Sequence, residues 1–295
     1  MEYYNYEDIY KKFFELKNDK FEIEKDCLSN IIFRSEGMGK KILVYPVLDL
    51  KRLIVKKISE KEAELEAVGY MDTGILKDKE AFYNGTSVGI IRERKGEENK
   101  SVYYVELWDK NTVKQGDLLN ISTYIRCKDD LLYSNNINLS IAEYLCKNLM
   151  CQKLSSVNHI YFTVSFDINS VISMANRIDA DIILPVYAAK AGDSFESEKG
   201  CGLVLKDGGF VLRSDHKKFF EDNYTQLNFA ESYKDFQFFI GSQCPIIEIL
   251  SLLCRGWVYP LAIPAKHLGS YAEHVSSKDI DSAAELIYNI LNTEV

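Results

Sequence analysis

Hydrophobic residues recur at helical spacing in several segments of the chain. Between residues 3 and 17 they lie three or four positions apart, at Tyr6, Ile9, Tyr10, Phe13 and Phe14. This spacing predicts an amphipathic helix whose apolar face packs on a core. Further helices are predicted from Ile137 and at 171–177, 245–254 and 279–291, the last with Ser277 or Asp279 as its cap.

Short apolar runs alternate with these helices. Lys41 to Tyr45 is typical of a strand buried on both faces, and further strands are predicted at 160–164, 182–187, 236–240 and 257–263. The sequence Asp207-Gly208-Gly209 between two apolar runs predicts a hairpin. Alternating strands and helices indicate βα units, so we expect an α/β fold with a largely parallel sheet flanked by helices.

The segment 56–130 has a different pattern, with short β-branched and aromatic runs separated by turn residues such as Asn84-Gly85. This pattern predicts a small all-β module, a barrel or a sandwich, inserted into the α/β domain. We therefore expect one α/β domain formed by residues 1–55 and 131–295, and an inserted β-rich domain at 56–130.

Charge and composition narrow the class of protein. The 295 residues carry 36 Lys and Arg against 44 Asp and Glu, a net charge of −8 without a basic tract, so nucleic acid is not an expected partner. No apolar run has the length of a membrane span and no signal sequence precedes the first helix, which predicts a cytoplasmic protein without a membrane partner. The seven cysteines lack CxxC spacing and are expected as reduced thiols.

The chemistry-bearing residues are few. The four histidines form no metal motif, although His267 and His274 share a predicted loop and could meet around a metal ion. Asp49 and Asp167 follow predicted strands, where α/β sheets place their sites, although such residues are often only solvated. Cys201 and Cys244 lie beside turns without a histidine signature; inert buried thiols are the favoured interpretation, and a metal-free cysteine hydrolase stays an alternative.

The order of these elements, the pair Ile263-Pro264 and the helix start Ser276 to Asp279 resemble the tetrahedral (glutamyl or deblocking) aminopeptidases, a family of dinuclear metallopeptidases. The stretch Val113 to Asp117 also resembles the β-rich oligomerisation domain of that family. The resemblance implies a zinc-peptidase-like mixed sheet with an inserted barrel-like domain. It also implies two metal ions held by two histidines and three carboxylates, with a separate glutamate as the general base.

Most of the implied metal-binding residues are replaced in this chain. When the chain is compared with the family, Asp49 keeps the family's aspartate, Asp167 occupies the position of a glutamate ligand, and Phe166 occupies the position of the general base. The other ligand positions fall on residues without a charged donor: Val47, Asn136 (or Ile137 in the next register), Pro185 and Gly269. Neutral replacements remove the repulsion that carboxylates would suffer once the cations are absent.

The sequence therefore predicts a pseudo-peptidase without catalytic residues, intact metal site or cofactor, with Asp49, Asn136 and Asp167 as remnant positions. We expect a homo-oligomer or a co-assembly with an active relative, and a possible peptide ligand in the remaining cleft. The alternative is an active aminopeptidase that binds zinc or cobalt through Asp49, Asp167, His267 and His274.

Overall fold

The computed structural model describes residues 2–4, 6–16, 21–28, 30–48, 52–68, 76–96, 101–110, 112–121, 123–152, 154, 157–165, 168–225, 236–241, 244–270 and 272–294. Its helices are α1 (Tyr6–Glu15), α2 (Ile137–Cys151), α3 (Ile168–Ile178), α4 (Ser214–Phe220), α5 (Pro245–Leu253) and α6 (Ser277–Asn292). Within these residues no helix has the length and apolar character needed to cross a membrane.

The strands form three consecutive groups. The first is β1 (Glu2–Tyr4), β2 (Glu22–Lys25), β3 (Ile31–Ser35) and β4 (Lys41–Pro46). The second is β5 (Arg52–Ser59), β6 (Glu62–Val68), β7 (Glu80–Tyr83), β8 (Thr86–Lys95), β9 (Ser101–Leu107) and β10 (Leu118–Ile121). The third is β11 (Thr123–Lys128), β12 (Leu131–Ser134), β13 (His159–Val164), β14 (Ile182–Lys190), β15 (Gly202–Asp207), β16 (Phe210–Val211), β17 (Gln237–Gly241), β18 (Trp257–Val258), β19 (Leu261–Lys266) and β20 (Glu273–Ser276).

The first and third groups form one mixed sheet. Its centre follows the order β19, β14, β4 and β13, and these neighbouring strands are parallel. Antiparallel strands extend the sheet on both sides. Helix α2 packs against α6 and on β14, while α3 contacts α5 and β4. The predicted α/β fold, with a parallel centre covered by helices, is confirmed.

The second group closes into a six-stranded barrel in the order β10, β5, β6, β9, β8 and β7. Asn84 and Gly85 have positive φ angles, as the tight turn between β7 and β8 requires. The barrel has its own apolar core, which includes Leu53, Val88 and Ile91. The expected small inserted barrel is therefore present in the fold.

The strand pairing gives the barrel other bounds than the expected 56–130. Arg52 already pairs with Val68, so β5 belongs to the barrel over its full length. At the other end, β11 pairs with β12 and lies in the large sheet. A hairpin turn at Asp129 and Asp130, both with positive φ, joins these two strands. Local β patterning does not distinguish a strand of the barrel from one of the sheet, because both alternate apolar and polar residues.

Other elements differ from the sequence predictions. The expected strand 257–263 is two strands, because its Pro260 cannot donate to the sheet. Residues 273–276, expected as loop, form β20, which pairs with both β12 and β19. Helix α4, which continues as a π-helical turn through Thr225, was not predicted. Neither Ser277 nor Asp279 caps α6, whose N-cap is Ser276 without a side-chain hydrogen bond.

Candidate functional site

The carboxyl end of β4 lies beside the middle of β14, close to the edge of the sheet where α/β proteins place their sites. Pro185 pairs with Tyr45 and Val186 with Pro46, so Tyr187 is the residue level with Val47. The backbone N–H of Val47 donates to the carbonyl oxygen of Val186 at 2.8 Å, which continues the same register. Pro185 therefore lies inside the strand pair, five residues before the end of β14 at Lys190.

Tyr187 connects this edge to a buried carboxylate. Its hydroxyl donates a hydrogen bond to Oδ2 of Asp207, a fully buried residue at the end of β15. The other oxygen, Oδ1, accepts from the backbone N–H of Cys244 at 3.1 Å. Burial, followed by the bond to Asp207, raises the pKa of the Tyr187 hydroxyl far above its ordinary value. The phenol is thus held as a neutral donor, and Asp207 links β14 to the start of α5.

Asn136 is the N-cap of α2, and its Oδ1 accepts from the backbone N–H of Leu139 at 3.3 Å. A second buried side chain, Glu273, completes this helix start. Its Oε2 accepts from the N–H of Ile137 at 2.8 Å and its Oε1 from the N–H of Gly269 at 2.7 Å. A carboxylate at a helix N-terminus is stabilised by the helix dipole. Glu273 therefore joins the start of α2 to the turn that follows β19.

His267 and His274 do meet, but only one of them lies in a loop. His267 follows β19 in the left-handed conformation with φ of 55°, and His274 is in β20, opposite Lys266. Their ring centroids are 5.3 Å apart. The ring of Tyr133, on the neighbouring strand β12, has its centroid 5.1 Å from that of His274. The pairing of β19 with β20 thus brings together two residues seven positions apart in the sequence.

Asp279 and Cys201 occupy a separate buried position. The carboxylate of Asp279 accepts from the backbone N–H groups of Glu198 and Gly200, each at 2.9 Å. Burial is the main cause that raises its pKa to about 6. Cys201 is fully buried, and desolvation raises the pKa of its thiol to about 12, so it is unsuited to act as a nucleophile at neutral pH. Asp279 anchors the segment before β15 rather than capping its own helix.

Three predicted site residues lie outside the described residues: Asp49, Phe166 and Asp167. The sequence reasoning missed Tyr187, Asp207 and Glu273 as the polar groups that organise this edge. Glu273 follows Gly269 by four residues in the sequence. Only the pairing of β20 with its neighbours brings it to the start of α2.

The described residues do not fit a dinuclear metal centre at this edge. Two bridged cations require several carboxylate or imidazole donors directed at one point. Val47 and Gly269 have no side-chain donor, and the oxygen of Asn136 accepts from a backbone N–H. In the part of the chain that the structure describes, no group of three or more His, Cys, Asp or Glu side chains is placed to hold a metal ion.

No family model matches the chain. The chain is similar to a protein from Acetivibrio thermocellus that is provisionally named an aminopeptidase. The two are 24% identical over 299 residues, which cover 92% of this chain and 89% of the relative.

Solved structures share the fold at lower identity. An aminopeptidase from the archaeon Desulfurococcus kamchatkensis has a TM-score of 0.79 at 14% identity, over 98% of this chain and 90% of its own. The TET aminopeptidase from a marine sediment archaeon, Thaumarchaeota archaeon SCGC AB-539-E09, has a TM-score of 0.75 at 18% identity, over 96% and 89%. The TET1 peptidase of Pyrococcus horikoshii, which can assemble into a tetrahedron or a large octahedral shell, has a TM-score of 0.73 at 16% identity, over 97% and 93%. The chain thus has the fold of these aminopeptidases.

Proposed function

We propose that this protein is a non-catalytic relative of the metallo-aminopeptidases that serves as a binding or assembly subunit. The observation that carries the proposal is that the described polar side chains at the carboxyl edge of the parallel strands are engaged in structural hydrogen bonds. Asn136 and Glu273 accept from backbone N–H groups of α2 and its surroundings, and Asp207 accepts from Tyr187 and Cys244. Among the described residues, these carboxylates and this amide connect secondary-structure elements, so they do not form an open set of ligands.

A fold can keep its shape after losing its catalysis, because function resides in the site and not in the scaffold. Val47 and Tyr187 fill the end of the central strand pair with an aliphatic side chain and a neutral phenol. Neither can hold a cation at neutral pH. The remnant positions Asp49 and Asp167 leave at most two acids from the set that the family resemblance implies, and two acids do not make a bridged two-metal site.

The test is metal analysis of the purified protein combined with an assay for release of N-terminal residues from a set of unmodified peptides. We expect fewer than two tightly held ions per chain and no release above the rate without protein, with or without added zinc or cobalt. Two bridged ions per chain, together with peptide hydrolysis that a chelator stops, would overturn the proposal.

The second candidate function is an active aminopeptidase with a rearranged zinc or cobalt site. The approach of His267 and His274 to a centroid distance of 5.3 Å is the observation that favours it. This candidate requires Asp49 or Asp167 to complete the site, so the double variant Asp49→Asn with Asp167→Asn should abolish metal-dependent hydrolysis. Hydrolysis that is absent from the start, or that the double variant leaves intact, excludes it.

We also propose that the chain assembles with itself or with an active relative through the barrel, in keeping with the family resemblance. One relative of the same fold assembles into a tetrahedron or an octahedral shell. The barrel also exposes Trp108, more than half of whose surface is accessible. Light scattering of the purified chain should give a mass of several protomers. A monomer both alone and mixed with an active relative would contradict assembly.

A further inference from the structure

We propose that His267 and His274 form a binding site for one divalent transition-metal ion of the zinc and copper type. The proposed site takes one ion on these two side chains, whereas the family resemblance implies two ions held by five ligands. The juxtaposition of two imidazoles across the pairing of β19 and β20 carries the proposal.

The separation of the rings matches two ligands of one ion. A zinc–nitrogen bond of about 2.1 Å places the ring centroid about 3.2 Å from the metal, so two imidazoles at a tetrahedral angle have centroids about 5.2 Å apart. The centroids of His267 and His274 are 5.3 Å apart, with the ring planes inclined by 46°. Imidazole nitrogen is a preferred ligand for zinc and copper and a poor one for magnesium or calcium.

The surroundings of His274 favour a ligand role over a simple packing role. Its Nδ1 is inaccessible to solvent and has no hydrogen-bond partner among the described residues. An imidazole nitrogen without a hydrogen-bond partner is free to bind a metal ion.

The backbone fixes the relative position of the two rings. His274 is held in β20 between β12 and β19, with the ring of Tyr133 at 5.1 Å. His267 occupies the tight turn after β19, where its carbonyl oxygen accepts from the N–H of Ser270 at 3.0 Å. Two protein ligands are fewer than the three or four of a permanent zinc site, so we expect the site to bind the ion reversibly.

The experiment is a calorimetric titration of the full chain with zinc chloride. The chain has only four histidines, and the other two supply matched controls: His159 faces Glu36, and His216 stacks on Trp257. We expect His267→Ala and His274→Phe each to lose one zinc ion per chain or to weaken its binding at least tenfold. His159→Ala and His216→Ala should bind zinc as the unchanged chain does. The phenylalanine keeps an aromatic ring against Tyr133 and so preserves the packing.

Exposed thiols also bind zinc, so the measured quantity is the difference between the chain and each variant and not the total uptake. Equal zinc binding by the chain, His267→Ala and His274→Phe would overturn the proposal, provided circular dichroism shows that both variants are folded. Two ions per chain with peptide hydrolysis would overturn the proposed function instead. One ion lost with either histidine, without hydrolysis, supports both inferences.

Discussion

The barrel and the carboxyl edge of the large sheet differ in what they bury. Within the described part of 52–121 every buried side chain is apolar, and the charged side chains form ion pairs at the surface, such as Arg94 with Glu62. The large sheet instead buries three carboxylates: Asp207, Glu273 and Asp279. Each accepts hydrogen bonds from backbone N–H groups of another element.

Burying a charge is costly unless hydrogen bonds compensate it, so a fold keeps such groups only where they are fully used. The barrel is stabilised by apolar burial and can tolerate changes of its surface charges. The edge of the sheet depends on specific acceptors, which hold α2, α5 and the segment before β15 in place. In this chain the buried acids Asp207, Glu273 and Asp279 act as structural connections between separate segments.

The largest expected effect is on the apolar core of the barrel. Ile91→Ala removes a fully buried side chain and should lower the free energy of unfolding by about 4 kcal/mol, from lost burial and the cavity left behind. Denaturant unfolding measures this change, and Val68→Ala, at a position with 41% exposure, is the control and should have a small effect. Similar losses for both variants would show that the barrel has no core of its own.

The next largest effect is expected at the edge of the large sheet, where a buried carboxylate contributes to stability. Glu273→Ala leaves the N–H groups of Ile137 and Gly269 without their acceptor and should cost about 3 kcal/mol of stability. The control is Glu64→Ala, which removes a carboxylate from the barrel surface. If both changes alter the unfolding midpoint by the same small amount, Glu273 does not connect α2 to the turn after β19.

Asp279 should make stability depend on pH. Its pKa in the folded protein is about 6, above the ordinary 3.8, so the folded state retains the proton longer than the unfolded state. The contribution of Asp279 to the free energy of unfolding is therefore greatest below pH 4. It falls by about 2 to 3 kcal/mol as the pH rises towards 6. Asp279→Asn should remove that part of the pH dependence. An unchanged slope between pH 4 and 6 would contradict the prediction.

The smallest expected effect is at the surface of the barrel. Glu62→Gln breaks the 2.8 Å ion pair with Arg94, in which the side chain of Arg94 is 49% exposed and that of Glu62 is 39% exposed. Because water and salt screen such pairs, the loss should be below about 1 kcal/mol and should shrink further in high salt. A loss comparable to that of Glu273→Ala would remove the distinction drawn between the two regions.

The sequence by itself determined many of the local elements and the class of fold. The spacing that predicts α1 places Phe13 in the core, and the apolar run from Lys41 becomes the central strand β4. The positive φ angles of Asn84 and Gly85 agree with the predicted turn. These features follow from periodicity and turn chemistry, which act over a few residues and can be read along the chain.

Only the tertiary structure decided which polar groups meet. The register of β4 with β14 puts Tyr187 and not Pro185 beside Val47, and β20 brings Glu273 to the start of α2. The same strand pairing places His267 against His274. Strand register and the contacts between distant segments depend on how the whole chain packs, and a shift of one residue would reverse the face of every side chain in a strand.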